Sequence, residues 1–373
     1  MSDGTRALHA TLESLRRLGP LDPEAVAATT AHLDSLTKPP GSLGRLEVLA
    51  VQLAGITGEP RPTFQRRAIV VAAADHGVVR QGVSAYPSDV TAQMVANFLR
   101  GGAAINALAR TVDAQVTVVD VGVGTPIPAV AELGDVPLLS EPIRHGTSDM
   151  SLGPAMSRAE ALRAVGLGIG IAADLARDGV DLLGIGEMGI GNTTAASAIS
   201  AAMTGLAPER VTGRGTGIDD ATHRHKIDVV ARALARNRAS PADPVGVLAA
   251  VGGFEVGVLV GLLLGAAARR IPVILDGFIT GAAALIAAGL APGIERRVIA
   301  AHRSVEPGHA VVLERLGLRP LLELDLRLGE ATGAALAMSL VDAAIAVRDG
   351  MATFDAAGVS GPTADAERLE EAR

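Results

Sequence analysis

The 373-residue chain has no cysteine, no tryptophan and one tyrosine, and with five phenylalanines its aromatics reach only 2%. Without cysteine there can be no disulfide, no thiolate zinc site and no cysteine nucleophile. Six aromatic rings cannot supply the stacking platforms of a single-strand nucleic-acid binder. Positive charge is also short. The 33 Lys and Arg against 40 Asp and Glu leave a net charge of −7, which argues against nucleic acid as a partner. Long hydrophobic runs are scarce. Val256–Ala268 is uncharged over 13 residues, too short for ~30 Å of hydrocarbon. Gly277–Ile294 is uncharged over 18 residues but carries Pro292 and four glycines between Asp276 and Glu295. Both read as buried helices, and no membrane span is expected. The first residues, MSDGTRALHATLESLRRLG, lack the apolar run of a signal peptide, so a cytoplasmic location is expected.

What is present is small and aliphatic. The hydrophobic fraction is 49%, and 44 glycines exceed the usual ~7%. Such a composition builds a core from Ala, Val, Leu and Ile, with closely packed helices and backbone loops that approach ligands. Five short apolar runs read as buried parallel strands: Ala68–Ala74, Val116–Val121, Asp181–Ile185, Ile271–Leu275 and Arg297–Ala301. Most end in a polar or glycine-rich turn, at 75–77, 120–122, 186–189, 276–278 and 302–304. Helical patterns fill the gaps, most clearly at Val90–Arg110, Arg158–Arg177, Thr193–Thr204, Asp220–Arg238, Glu255–Arg269 and Glu330–Arg348. Strand, turn and helix in repeated order predict an α/β fold, an open parallel sheet flanked by helices in a Rossmann-like large domain over 61–330. Residues 1–60 and 331–373 hold no strand pattern and are expected to form a small helical domain from both termini. Within it, Lys38-Pro39-Pro40-Gly41 cannot be helical.

Ligands of such sheets bind beyond the carboxyl ends of the strands, so the turns are where chemistry is sought. Gly184-Ile-Gly186-Glu-Met-Gly189 matches GxGxxG, but no acidic-ended strand follows about 20 residues on, as a dinucleotide site requires. Its glycines and the following helix start suit a single anion, whereas Glu187 has no obvious packing role. Gly213-Arg-Gly215-Thr-Gly217, ahead of Lys226, suits one phosphate. Asp75-His76, His302 and His309 have residue types that bind metal, yet their spacing makes no metal motif, and no metal is expected. Glu330 stands at the expected start of a helix. There the dipole lowers a carboxyl pKa and desolvation raises it, and both readings stay open.

Several segments occur in one order over most of the chain: LTKPPGSLGRLE, AADHGVVRQGVSAYP, GGAAINALAR, GPAMSRAEA, GIGEMGIGNTTAASA, KIDVV, VGGFEVGVLVGLLLGAAARRIPVILDGF and RLGEATGAALAMSLVDAA. In these the chain resembles the nicotinate-nucleotide–dimethylbenzimidazole phosphoribosyltransferase (CobT) family. The resemblance implies transfer of 5-phosphoribose from nicotinate mononucleotide to 5,6-dimethylbenzimidazole. The products are α-ribazole 5′-phosphate and nicotinate, for the nucleotide loop of cobalamin. It implies inversion at C1′, no cofactor, and a homodimer. It also implies Glu330 as general base, with Glu187 as electrostatic support for the ribose or as a back-up base. The phosphate is expected near Gly189, Gly215, Lys226 and Ser304, and the base pocket near Tyr86 and Met94.

Overall fold

The computed structural model describes residues 2–127, 136–215 and 217–361. Thr216 of the glycine loop and residues 362–373 of the expected small domain therefore lie outside the described residues. Among the described residues six parallel strands form one sheet: β1 (Arg67–Ala74), β2 (Ala114–Gly122), β3 (Leu138–Ser140), β4 (Leu182–Met188), β5 (Val273–Leu275) and β6 (Val298–Ala300). Their order is β3-β2-β1-β4-β5-β6, so the direction of winding reverses between β1 and β4. Every expected strand is present within a few residues. β3 escapes sequence reading because it is three exposed residues between Pro137 and Pro142. A short, exposed edge strand carries little hydrophobic signal.

The helices follow from caps and small residues. Arg158–Arg177 begins at a capping box, in which the Ser157 hydroxyl accepts the Glu160 N–H and Glu160 accepts the Ser157 N–H. It packs against Phe254–Ala267, every residue of which is buried. The backbones approach so closely that a Cβ on Gly168 would lie 2.1 Å from the Val258 carbonyl oxygen. Small residues let these helices touch, which fits the aromatic-poor composition. The single helix expected over Val90–Arg110 is two, Asp89–Leu99 and Ala104–Thr111. Gly101, at φ 76°, turns the chain between them. Among the described residues no helix is long and apolar enough to cross a membrane.

The chain divides into two compact units. One holds the sheet, the first helix Asp3–Leu18, and the chain from Phe64 to Ser339; the other comprises Leu21–Thr63 and the chain from Leu340. The small unit thus starts later at both ends than the expected 1–60 plus 331–373. Asp3–Leu18 packs on Arg158–Arg177, and Leu8 joins the core of the sheet-bearing unit. In the small unit the Lys38-Pro39-Pro40-Gly41 stretch is an irregular turn. Glu47 fixes it by accepting from the Lys38 ammonium at 2.8 Å and from the Gly41 and Leu43 N–H groups at 3.2 and 2.8 Å.

Candidate active site

A cavity of about 400 Å³ opens at the carboxyl ends of β4, β5 and β6, beside the point where the winding reverses. All its lining residues belong to the sheet-bearing unit. Seven of the eight residues singled out from sequence line it: Glu330, Glu187, Tyr86, Met94, Gly189, Gly215 and Ser304. The eighth, Lys226, lies directly behind the wall, its ammonium donating to Thr193 Oγ1 at 2.8 Å, and Thr193 is itself a lining residue.

One end of the cavity is carboxylic. Glu330 sits ahead of the helix Thr332–Gly350 rather than inside it. Gly329, Glu330 and Ala331 all adopt left-handed backbone, at φ 85°, 61° and 66°. Two non-glycine residues in succession there are costly and recur at functional sites. The N–H groups of Gly333 and Ala334 are taken by Asp276 Oδ1 at 2.7 and 3.2 Å. Asp276 therefore caps the helix, and Glu330 is left facing the cavity. Its Oε2 is buried without a hydrogen-bond partner. Burial pushes the Glu330 carboxyl up to about 7, which decides between the two readings left open by sequence. Burial also pushes Asp276 up to about 7, against the pull of its backbone N–H donors.

Glu187, the penultimate residue of β4, accepts a hydrogen bond on Oε2 from the Asn192 amide. Burial, reinforced by the charges of Glu255, Asp276 and Glu330, holds its carboxyl well above the usual range. The GxGxxG match has a packing cause. Gly184 and Gly186 lie within β4, and a Cβ on Gly186 would come 2.1 Å from the Ala331 nitrogen. Gly186 seats the Glu330 turn on the strand and Gly184 makes room for Met338, so the pair does not form a dinucleotide loop.

Positive charge stands behind the wall at Thr193. Lys226 is 1% exposed, and burial lowers its ammonium to about 8 although Glu306 opposes the shift. Glu306 Oε1 accepts the Gly215 N–H at 2.8 Å, which ties the glycine loop beside the lysine. The helix Asn192–Thr204 begins here, and the first turn of a helix presents N–H groups suited to an anion. Ser304 is set by its neighbours: its N–H donates to His309 Nδ1 at 3.0 Å. Burial, helped by His302 and Arg303 nearby, lowers the His309 pKa to about 3 and keeps the ring neutral.

Much of the rest of the wall is apolar, with Val83, Val90, Met94, Ile190 and Ile279. Tyr86 stands at the rim, 52% exposed. Phe278 adds a second ring to the one foreseen. Sequence reasoning also passed over Glu306, Asn192 and Thr193. Glu306 lies only two residues beyond Ser304, but nothing in its local pattern signals that it reaches Gly215. His302 lines the cavity, whereas three other histidines take structural roles. His76 Nε2 pairs with Glu255 Oε1 at 2.8 Å, while His223 and His225 meet the carbonyl oxygens of Thr212 and Gln81.

An open parallel sheet with buried carboxyl groups lining a largely apolar cavity at its strand ends, and a buried lysine behind the cavity wall, defines an α/β enzyme whose site suits a small anionic substrate with an apolar part. A phosphoribosyltransferase family model matches residues 18–359, and the chain belongs to that family. It is 58% identical over 348 residues to the nicotinate-nucleotide–dimethylbenzimidazole phosphoribosyltransferase of Chloroflexus aggregans, covering 93% of this chain and 97% of that protein. The enzyme of the same name from Roseiflexus sp. is 58% identical over 349 residues, 94% of this chain and 98% of that protein. The crystal structure of CobT from Thermus thermophilus superposes with a TM-score of 0.86 at 50% identity, over 91% of this chain and 100% of that one.

Proposed function

We propose that the chain transfers 5-phosphoribose from nicotinate mononucleotide to 5,6-dimethylbenzimidazole, giving α-ribazole 5′-phosphate and nicotinate for cobalamin assembly. The observation that carries the mechanism is Glu330, a buried carboxylate with an unpartnered oxygen and a pKa of about 7 facing the cavity. A general base works best with a pKa near the working pH. The azole nitrogen lone pair attacks C1′ as the bond from C1′ to the pyridinium nitrogen breaks. The bonding pair goes to that nitrogen, so nicotinate leaves without needing an acid. The azole N–H proton passes to Glu330. Attack opposite the leaving group inverts C1′.

Glu187 supports the ribose as positive charge develops at C1′. Binding of a cationic pyridinium beside it favours its ionised form. Phosphate lies on Lys226, Ser304 and the backbone at Gly189, and the azole against Tyr86 and Met94; Gly215, expected to offer its N–H, has given it to Glu306 and serves to bring the loop beside Lys226. No cofactor or metal takes part.

Purified protein incubated with both substrates is expected to release nicotinate and α-ribazole phosphate in equal amounts, read by mass spectrometry. Folded protein that forms neither product overturns the reading. The proposal includes a cytoplasmic homodimer, for which light scattering should give twice the 37.7 kDa chain mass; a monomer mass rejects that part.

A further inference from the structure

The Asp75-His76 pair ends β1 at the edge of the site, yet the proposed chemistry uses neither residue. Asp75 instead begins a buried hydrogen-bond chain. Its Oδ2 accepts the Gly124 N–H at 2.6 Å and its Oδ1 accepts the Thr91 hydroxyl at 2.7 Å. Thr91 Oγ1, its proton committed to Asp75, accepts the Ile190 N–H at 3.1 Å. Thr91 is fully buried. Ile190 lies at the centre of the loop between Glu187 and Thr193, which carries Gly189 and leads into the helix holding the Lys226 partner.

From this geometry we infer that Thr91 is a positioning residue for the reaction: it clamps the anion-facing loop to the helix Asp89–Leu99. This inference rests on the proposed function. The helix is a firm anchor, because Val95, Ala96, Phe98 and Leu99 are in the core, while Val90 and Met94 face the cavity. A hydroxyl is needed because one atom must donate to a carboxylate and accept from an N–H at once. Serine can do this and valine cannot. Loss of the clamp leaves both Asp75 Oδ1 and the Ile190 N–H without their partner. The loop can then shift by a fraction of an ångström, enough to spoil alignment of phosphate and C1′.

The test compares wild type, Thr91→Val, Thr91→Ser and Asp75→Asn as full-length proteins. Thr91→Val should lower kcat/KM for nicotinate mononucleotide by about 10- to 100-fold through both constants. The azole KM should move far less, since Val90 and Met94 keep their places. Thr91→Ser should restore most of the rate. Asp75→Asn, which retains one acceptor oxygen, should show a several-fold loss, and it decides the matter if Thr91→Val does not fold. Valine kinetics close to wild type, equal losses in serine and valine, or an unchanged Asp75→Asn each overturn the inference. Hydrogen exchange at the Ile190 amide provides a readout independent of activity. It should be slow in wild type and Thr91→Ser, and faster in Thr91→Val and Asp75→Asn. Unchanged protection in the variants also overturns the clamp. A wild type that is inactive but shows this exchange pattern would refute the proposed function and leave the clamp standing.

Discussion

Glu330→Gln is expected to lose at least about 100-fold in turnover while folding normally. The substitution keeps the shape of the side chain and removes only its capacity to take a proton. Binding of nicotinate mononucleotide should change little, because the phosphate end of the cavity is untouched. In wild type the rate should rise with pH through about 7, where Glu330 loses its proton, and this limb should vanish in the variant. Near-normal turnover in Glu330→Gln would move the base to Glu187 or to water. Stability should change in the opposite direction. The folded carboxyl has a raised pKa, so the stabilisation from its neutral form is complete below about 4.5 and is lost as pH rises through about 7. Glutamine never carries that buried charge. The variant should therefore melt a few degrees above wild type at pH 8 and about level with it near pH 4. Calorimetry at the two values checks this, and an equal shift at both would exclude a charge origin.

Lys226→Met is the second large effect expected, a rise of about 100-fold or more in the KM for nicotinate mononucleotide. The ammonium is buried, so its attraction for a phosphate dianion is poorly screened. Its removal also leaves the buried Glu306 without the nearby opposite charge, which adds to the cost of bringing in an anion. Wild-type affinity should weaken as pH rises above about 8, where the free-protein lysine gives up its proton. Nicotinate riboside, which lacks the phosphate, isolates the contact. Wild type and Lys226→Met should use it with similar kcat/KM. Equal losses on riboside and nucleotide would mean that Lys226 holds the loop rather than the phosphate.

The strands were legible because a parallel strand buried on both faces is a continuous apolar run, as in Ile69–Ala74. Three of the turns that end those runs, at 186–189, 276–278 and 302–304, supply lining residues of the cavity. Elsewhere a local pattern is ambiguous and distant atoms settle it. Gly184 and Gly186 mimic a phosphate loop in one dimension, but the Ala331 turn, far along the chain, is what the missing side chain of Gly186 accommodates. Val90–Arg110 keeps a helical pattern across a break at which Gly101 takes a left-handed backbone. The first helix resembles the other N-terminal helices in pattern, and only its packing on Arg158–Arg177 assigns it to the sheet.

Fold class, family and seven of the residues that line the cavity are written in the linear chain, because periodicity and motif order are properties of the chain. The chemistry of those groups comes from three-dimensional packing. Glu330 could have been a helix-start carboxylate with a depressed pKa. Instead Asp276, from the end of β5, takes the helix N–H groups, and burial drives Glu330 up to about 7. Lys226 could have been a solvated lysine on a basic helix, yet packing buries it and lowers it to about 8. A carboxylate or an ammonium acquires its working pKa from desolvation and from neighbours across the fold, and neither can be read in local sequence.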